Sequence, residues 1–328
     1  MPIARRSLGL GLFGASAAAG AGMEVVRSNP GFRPATSLTG FVGGEKEGLL
    51  ADPEIVAGLR GAGFALVDRR AGSIEMVRDP ALLRQDPAFL WPSSAVVGDI
   101  ARRGGLTILR EQVVLNVPIA LFSWDRIADG LVNGGLARQL GPRHYELALD
   151  RLLPALLEGR AWSALGVGGQ SGRARLLATD PNRSNSGFMF AGLAANVLAG
   201  DVASGPLLDR HLPDLTRLFG AMGFKPPSSA RVFEDYLAGG PGVQPLVVGY
   251  ENQLIEWVLA DPERWRRVEA SAPARPVLIY PRPTVLSAHP VLALKREAVP
   301  LIDALMQPLL QERAWTHHGF RGPLGADT

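Results

Sequence analysis

The chain has 328 residues, 47% hydrophobic and 20% charged. That balance suits a globular protein of one large or two ordinary domains, and it excludes a disordered or fibrous chain. The formal net charge is only +3, with no cysteine and five histidines, so the isoelectric point near 9.6 reflects a scarcity of groups titrating above neutrality rather than a basic surface. No basic stripe interleaved with aromatics occurs, which leaves nucleic-acid binding without support.

The first residues have the layout of an export signal: Arg5-Arg6, a short Gly/Ala-rich apolar body and a small-residue end at Gly22. The arginine pair followed by Ser7-Leu8-Gly9 predicts a twin-arginine signal over residues 1–22. Gly9, Gly11 and Gly14 match the dinucleotide fingerprint as text only, because neither a strand nor a βαβ unit surrounds them. The apolar body is too short for a bilayer anchor, and without cysteine there is no lipid attachment and no disulfide. The expected product is soluble in the periplasm. Its charge is +1, since removal takes away Arg5 and Arg6 and no acid.

Residues 24–36 read as an extended lead-in interrupted by Pro30 and Pro34. Ser37–Lys46 reads as a strand end and a Gly-rich turn, with Thr39 as the polar turn residue. Asp52-Pro53 then starts a helix, Asp as N-cap and Pro at the first position. A strand at Phe64–Val67, a turn at Gly72-Ser73 and a strand at Ala88–Trp91 follow, and Pro92-Ser93-Ser94 leads into a helix that stops at Gly104-Gly105. Gln112–Trp124 is a long β-branched run that predicts a crossover between two sheets. Residues 125–160 are expected to be helical, with Asp125 as cap and an apolar face over Tyr145–Leu157.

The glycine-rich segment Gly166–Gly172 precedes a strand ending near Leu177 and the polar turn Thr179-Asp180-Pro181-Asn182-Arg183-Ser184-Asn185-Ser186. That turn opens the apolar helix Phe188–Ala199; further helices are expected at Leu207–Met222 and Ser229–Leu237. Gln244–Tyr250 is a strand that turns at Tyr250-Glu251-Asn252 into a helix, and Pro276–Tyr280 is another strand leading to a second crossover before Pro290. Ala298–Arg313 reads as one amphipathic helix.

The recurring unit is strand, polar turn, helix, which indicates α/β architecture with mostly parallel sheets. In such sheets ligands bind beyond the carboxyl ends of the strands. Short hydroxyl and amide side chains beside free helix N–H groups can cradle a polar or anionic solute; the same Asn185 or Ser186 can simply cap its helix. Catalytic alternatives find little support. Gly169-Gln170-Ser171-Gly172-Arg173 breaks the nucleophile-elbow pattern, and the adjacent His317-His318 lack metal-ligand spacing. Arg183 inside the key turn can meet an anion or pair with an acid across a cleft. Glu45, Lys46 and Glu251 are candidate charged contacts that also suit solvated or capping roles.

Several stretches together resemble an extracellular solute-binding protein of the type II periplasmic binding fold, the class of molybdate-, sulfate- and phosphate-binding proteins. They are the exported start, Leu38–Lys46, Trp91-Pro92-Ser93-Ser94, Thr179–Gly187 and Met306–Arg321. The resemblance implies two α/β lobes joined by two crossovers, residues 24–118 plus 286–328 and residues 119–285, with the ligand cleft between them. It implies hinge closure on a small polar or anionic solute, delivery to an ABC-type permease, a monomer, and neither cofactor nor metal. It places ligand contacts at Thr39, Gly40, Ser73, Ser93 and Ser94 on one lobe and at Asn185, Ser186, Tyr250 and Tyr280 on the other, with Arg183 at the cleft. A periplasmic enzyme on the same fold, or a ligand-sensing interaction module, stays open as an alternative.

Overall fold

A computed structural model describes residues 34–323; the expected export signal lies outside them. Nine strands run β1 (Thr36–Val42), β2 (Phe64–Arg70), β3 (Phe89–Trp91), β4 (Arg110–Trp124), β5 (Ala137–Gly141), β6 (His144–Ala148), β7 (Leu246–Tyr250), β8 (Pro276–Arg282) and β9 (Leu286–Ala293). Their spatial order is β2-β1-β3-β9-β4-β8-β6-β5, with β7 also paired to β4. The architecture is the expected one: two α/β lobes built around sheets that share crossing strands, with helices packed on them.

β1 pairs in parallel with both β2 and β3, so the loops after these three strands emerge at one end of the sheet. The antiparallel pairings come largely from the crossing strands. β4 lies against β9 over Arg110–Pro118 and then against β7 and β8 over Ile119–Trp124. From Val114 to Trp124 every residue of β4 is buried, as both faces of a central strand require. Pro118 stands where the partner changes from Leu286 to Tyr250 at Ile119; a residue with no N–H is tolerated where the ladder is interrupted.

Local chemistry explains the helix starts. Asp52 Oδ1 accepts from the Glu54 and Ile55 N–H groups at 2.8 and 3.3 Å, and Pro53 occupies the first turn, a cap worth about 1 kcal/mol. Ile55 and Leu59, one turn apart, then bury the inner face. The same Asp-Pro signature opens a helix the sequence reading did not identify, Pro262–Ser271, where Asp261 Oδ1 accepts from the Arg264 N–H at 2.8 Å.

Three local expectations are corrected. Residues 125–160 are not helical throughout: the helix Asp125–Asn133 stops at Gly134-Gly135, a β5–β6 hairpin follows, and only Leu149–Leu157 is helical again. Tyr145 and Leu147 are buried in alternation with less buried neighbours, a period of two rather than 3.6. Leu177 makes only an isolated parallel bridge to Val247. The C-terminal helix is split into Val299–Leu305 and Pro308–His318, because Pro308 forces Gln307 into an extended conformation (ψ 137°).

Candidate functional site

The loops at the carboxyl ends of β1, β2, β3 and β7 converge. Gly43-Gly44-Glu45, Ala71-Gly72-Ser73 and Ser93 approach from one side; Ser184-Asn185, Ser228-Ser229 and Tyr250 approach from the other, and together they line one cavity. The space between them is about 20 Å³, room for a water molecule. The walls therefore touch, and the space is too small for a molecule of several heavy atoms. Much larger is a cavity of about 1260 Å³ along the opposite flank of the helix Asn185–Ala199, lined by apolar groups such as Phe188, Met189 and Val197; it has no comparable set of converging polar termini.

Asn185 is the hub. Its Nδ2 faces the Ser93 carbonyl at 2.5 Å, the Tyr250 hydroxyl at 2.9 Å and the Ser287 hydroxyl at 3.2 Å. The Ser93 carbonyl can only accept, which fixes the amide orientation with nitrogen toward it. The amide oxygen Oδ1 is then left buried and without a partner, a costly state in a dry interior. Ser73 supports this wall by accepting from the Ser93 N–H at 2.9 Å. Thr179 and Ser186 bond to each other at 2.8 Å, and the Thr179 hydroxyl also accepts from the Gly187 N–H at 2.8 Å, so the turn that launches the helix is satisfied internally.

Beneath this wall lies a buried charged group. Lys46 is fully enclosed, bonds Glu45, reaches the Ser93 hydroxyl at 3.3 Å and stands 5.7 Å from the centre of the Trp91 ring. Burial, the largest single influence, would raise the Glu45 carboxyl; the charge effects of Lys46 and His289 and the hydrogen bonds from Lys46 and Ser93 together outweigh it and hold the carboxyl down to about 2. Burial pushes the Lys46 ammonium below its ordinary value, against the pull of Glu45. Burial likewise drives His289 well below the usual imidazole range, with Lys46 adding to the effect, so its ring is neutral at neutral pH. Both His289 nitrogens are buried without hydrogen-bond partners, Nδ1 standing 3.6 Å from Glu45. Burial and the Glu45 charge raise the Tyr250 phenol far above its ordinary value, so it acts as a neutral hydroxyl.

The structure brings Ser73, Ser93, Asn185 and Tyr250 of the sequence-derived set to the cavity. It does not bring Thr39 and Gly40 there. β1 continues to Val42, so Thr39 sits mid-strand opposite Val67 and Gly40 opposite Phe89, where a Cβ would overlap the Phe89 ring; the turn that reaches the cavity is Gly43–Glu45. Ser94 turns aside, its hydroxyl accepting from the Val96 N–H at 3.3 Å and lying 3.8 Å from the Met189 sulfur. Ser186 bonds Thr179 as described. Tyr280 bonds Glu251 and packs edge-on against His144 at 4.7 Å. Arg183 pairs with Glu75 at 3.3 Å and is half exposed.

Residues not singled out as contacts also matter here. Ser229 reaches Glu45 Oε2 at 3.4 Å and the Asn252 amide reaches the Glu45 carbonyl at 3.4 Å. The Ser228-Ser229 pair carried the same signal as Ser93-Ser94, hydroxyls just before a helix. Ser287 and His289 carried none, being strand residues of β9 that arrive by pairing with β4. Among the described residues no cluster of three or more His, Asp or Glu has metal-holding geometry, and no helix is long and apolar enough to cross a membrane.

No protein-family model matches the chain, and no curated protein matches it. Solved structures do. The chain is similar to the apo ferric ion-binding protein A of Pasteurella haemolytica, with a TM-score of 0.57 and 12% identity over 89% of this chain and 87% of that one. The sulfate-binding protein of Mycobacterium tuberculosis H37Rv gives 0.54 and 15% over 89% and 88%. The periplasmic molybdate-binding protein of Azotobacter vinelandii gives 0.51 and 12% over 87% and 99%. At such identities the likeness is one of fold: this chain has the type II periplasmic binding fold.

Proposed function

We propose that the chain is an exported solute-binding protein that closes its two lobes, residues 24–118 plus 286–328 and residues 119–285, on a small polar or anionic solute and presents it, as a monomer, to an ABC-type permease. The observation that carries this reading is the convergence of six polar loops from both sides on one buried point, with Asn185 joined at once to Ser93, Tyr250 and Ser287. Serine hydroxyls and the ends of strands and helices supply donors, while the unpartnered Asn185 oxygen and Glu45 supply acceptors. A solute with both donors and acceptors matches that lining better than a bare oxyanion. Ser73, Ser93, Ser229, Asn185 and Tyr250 are the contacts we assign, with Arg183 as a latch to Glu75 rather than a ligand group. A twin-arginine signal over residues 1–22 belongs to the same reading.

Melting-temperature shifts across oxyanions, carboxylates, amino acids and sugars test it, followed by titration calorimetry with the solute giving the largest shift. Asn185→Ala should weaken that solute by about 1–3 kcal/mol, the loss of one buried hydrogen-bonding group. A folded protein whose melting temperature responds to none of these classes would remove the proposal.

A further inference from the structure

The end of the glycine-rich segment, Gln170–Gly172, takes no part in the interlobe site, yet it helps line another cavity, of about 600 Å³. Arg173, Arg175 and Arg217 line it, together with Gln170, Ser171 and a single carboxylate, Glu158. Residues 173–176 run extended between the isolated bridges Ala161–Arg173 and Leu177–Val247. Ala174 and Leu176 are buried while Arg173 and Arg175 are exposed, so the period of two puts both guanidinium groups on one face. Arg217 joins them from the helix Gly205–Ala221.

The pairing of these arginines is incomplete. Among the described residues the Arg173 guanidinium has neither an ion-pair nor a hydrogen-bond partner, and it lies beside Gly159, where a Cβ would come within 3.4 Å of its Nε. Arg175 donates only to backbone carbonyls, Val243 at 2.9 Å and Gly242 at 3.5 Å. Arg217 is shared with Asp214 on its own helix at 2.8 Å. A guanidinium with no carboxylate beside it offers parallel donors in the geometry that phosphate and carboxylate oxygens accept. A concave wall concentrates that field on a small anion.

We propose that this cavity is a second ligand site, for a compact soluble polyanion carrying two or three phosphate or carboxylate groups. Arg173 and Arg175 supply the principal contacts, Arg217 a third, and Gln170 and Ser171 neutral donors at the rim. The site stands apart from the interlobe cleft and does not depend on that reading.

Equilibrium dialysis of the full chain against inorganic pyrophosphate tests it, at low and at high salt. We expect saturable one-to-one binding that weakens as salt rises, falls at least tenfold in R173A/R175A, and is unchanged in N185A. R173K/R175K, which keeps the charge and loses the fork, should bind between the two, and it serves as the informative variant if the alanine pair does not fold. No binding, binding indifferent to the arginine variants, or binding lost in N185A instead would each overturn the assignment. Co-sedimentation with phosphatidylglycerol vesicles separates a free solute from a lipid headgroup: capture by vesicles without pyrophosphate binding would also overturn it.

Discussion

Asp52 performs two jobs with one carboxylate. Oδ1 caps the helix Pro53–Gly61, while Oδ2 accepts from Arg313 at 2.9 Å and lies 3.0 Å from His318 Nε2. His318 Nδ1 meets Glu256 at 2.6 Å, so the imidazole lies between two carboxylates, with Arg313 on the far side of Asp52. Asp52→Asn keeps the cap oxygen and loses the charge; Asp52→Ala loses both, and should cost about 1 kcal/mol more in urea unfolding. Equal costs for the two variants would show that the cap contributes nothing. The pair also sets a pH window. Burial would raise the Asp52 carboxyl, but hydrogen bonds from His318, Arg313 and the backbone bring it from 3.8 down to about 2. A depressed carboxyl stabilises the fold above its unfolded value, and that contribution is lost as pH falls from 3.8 through about 2. Burial would lower His318, but Glu256 and Asp52 raise it above 6.5. A raised imidazole stabilises the fold in full below 6.5, and that contribution is lost as pH climbs through the raised folded value. The urea midpoint should therefore decline on the alkaline side of 6.5 in the wild type, and His318→Gln should flatten that limb. A wild-type midpoint still rising there would contradict the assignment.

At the scale of elements, Gly249 in β7 decides how closely the strand that ends in Tyr250 can lie against its neighbours. A Cβ there would overlap the ring of Phe122 in β4. That ring is fully buried, with Phe233 at 5.0 Å and Tyr236 at 5.5 Å between centroids, so it has nowhere to move. Gly249→Ala should lower stability by about 1–3 kcal/mol, the usual cost of overpacking, read as a shift in the urea midpoint; a change below about 0.5 kcal/mol, the range of surface substitutions, would mean that the strands part easily. Such packing shows why some of the fold was legible in the sequence and some was not. Caps and punctuation are local: Asp52-Pro53, Gly104-Gly105 and the polar turn before Asn185 carry their own instructions, and the long β-branched run to Trp124 announced a crossing strand. Register is not local. Thr39 reads as a polar turn residue in the sequence, whereas pairing with β2 carries the strand on to Val42 opposite Arg70. Tyr145 and Leu147 fit a helical face as readily as a strand until the parallel pairing with β8 settles the period. Ser287 and His289 reach the site only through pairing of β9 with β4. The halves of the site made by turns were therefore visible in the sequence, and the half made by strand register was not.

For the whole molecule, the contacts between the two walls of the site are those that the proposed closure would make. Arg183 meets Glu75, Ser229 and Asn252 meet Glu45, and Asn185 meets Ser93. Gly72 lies so near the Arg183 carbonyl that any Cβ would overlap its oxygen. Gly72 is not in the left-handed region, so alanine is acceptable to its own backbone, and Gly72→Ala should penalise the closed arrangement while leaving each lobe intact. Closure around a ligand is a shift between two populations, and the apparent affinity falls with the fraction able to close. The variant should melt near the wild-type temperature without solute, bind the solute of largest melting shift at least tenfold more weakly, and need correspondingly more of it to reach the compact radius of gyration in small-angle scattering. A mere loss of lobe stability would lower the melting temperature in the absence of solute, which separates the two causes. If Gly72→Ala binds and compacts as the wild type does, the Gly72–Arg183 approach takes no part in the proposed closure.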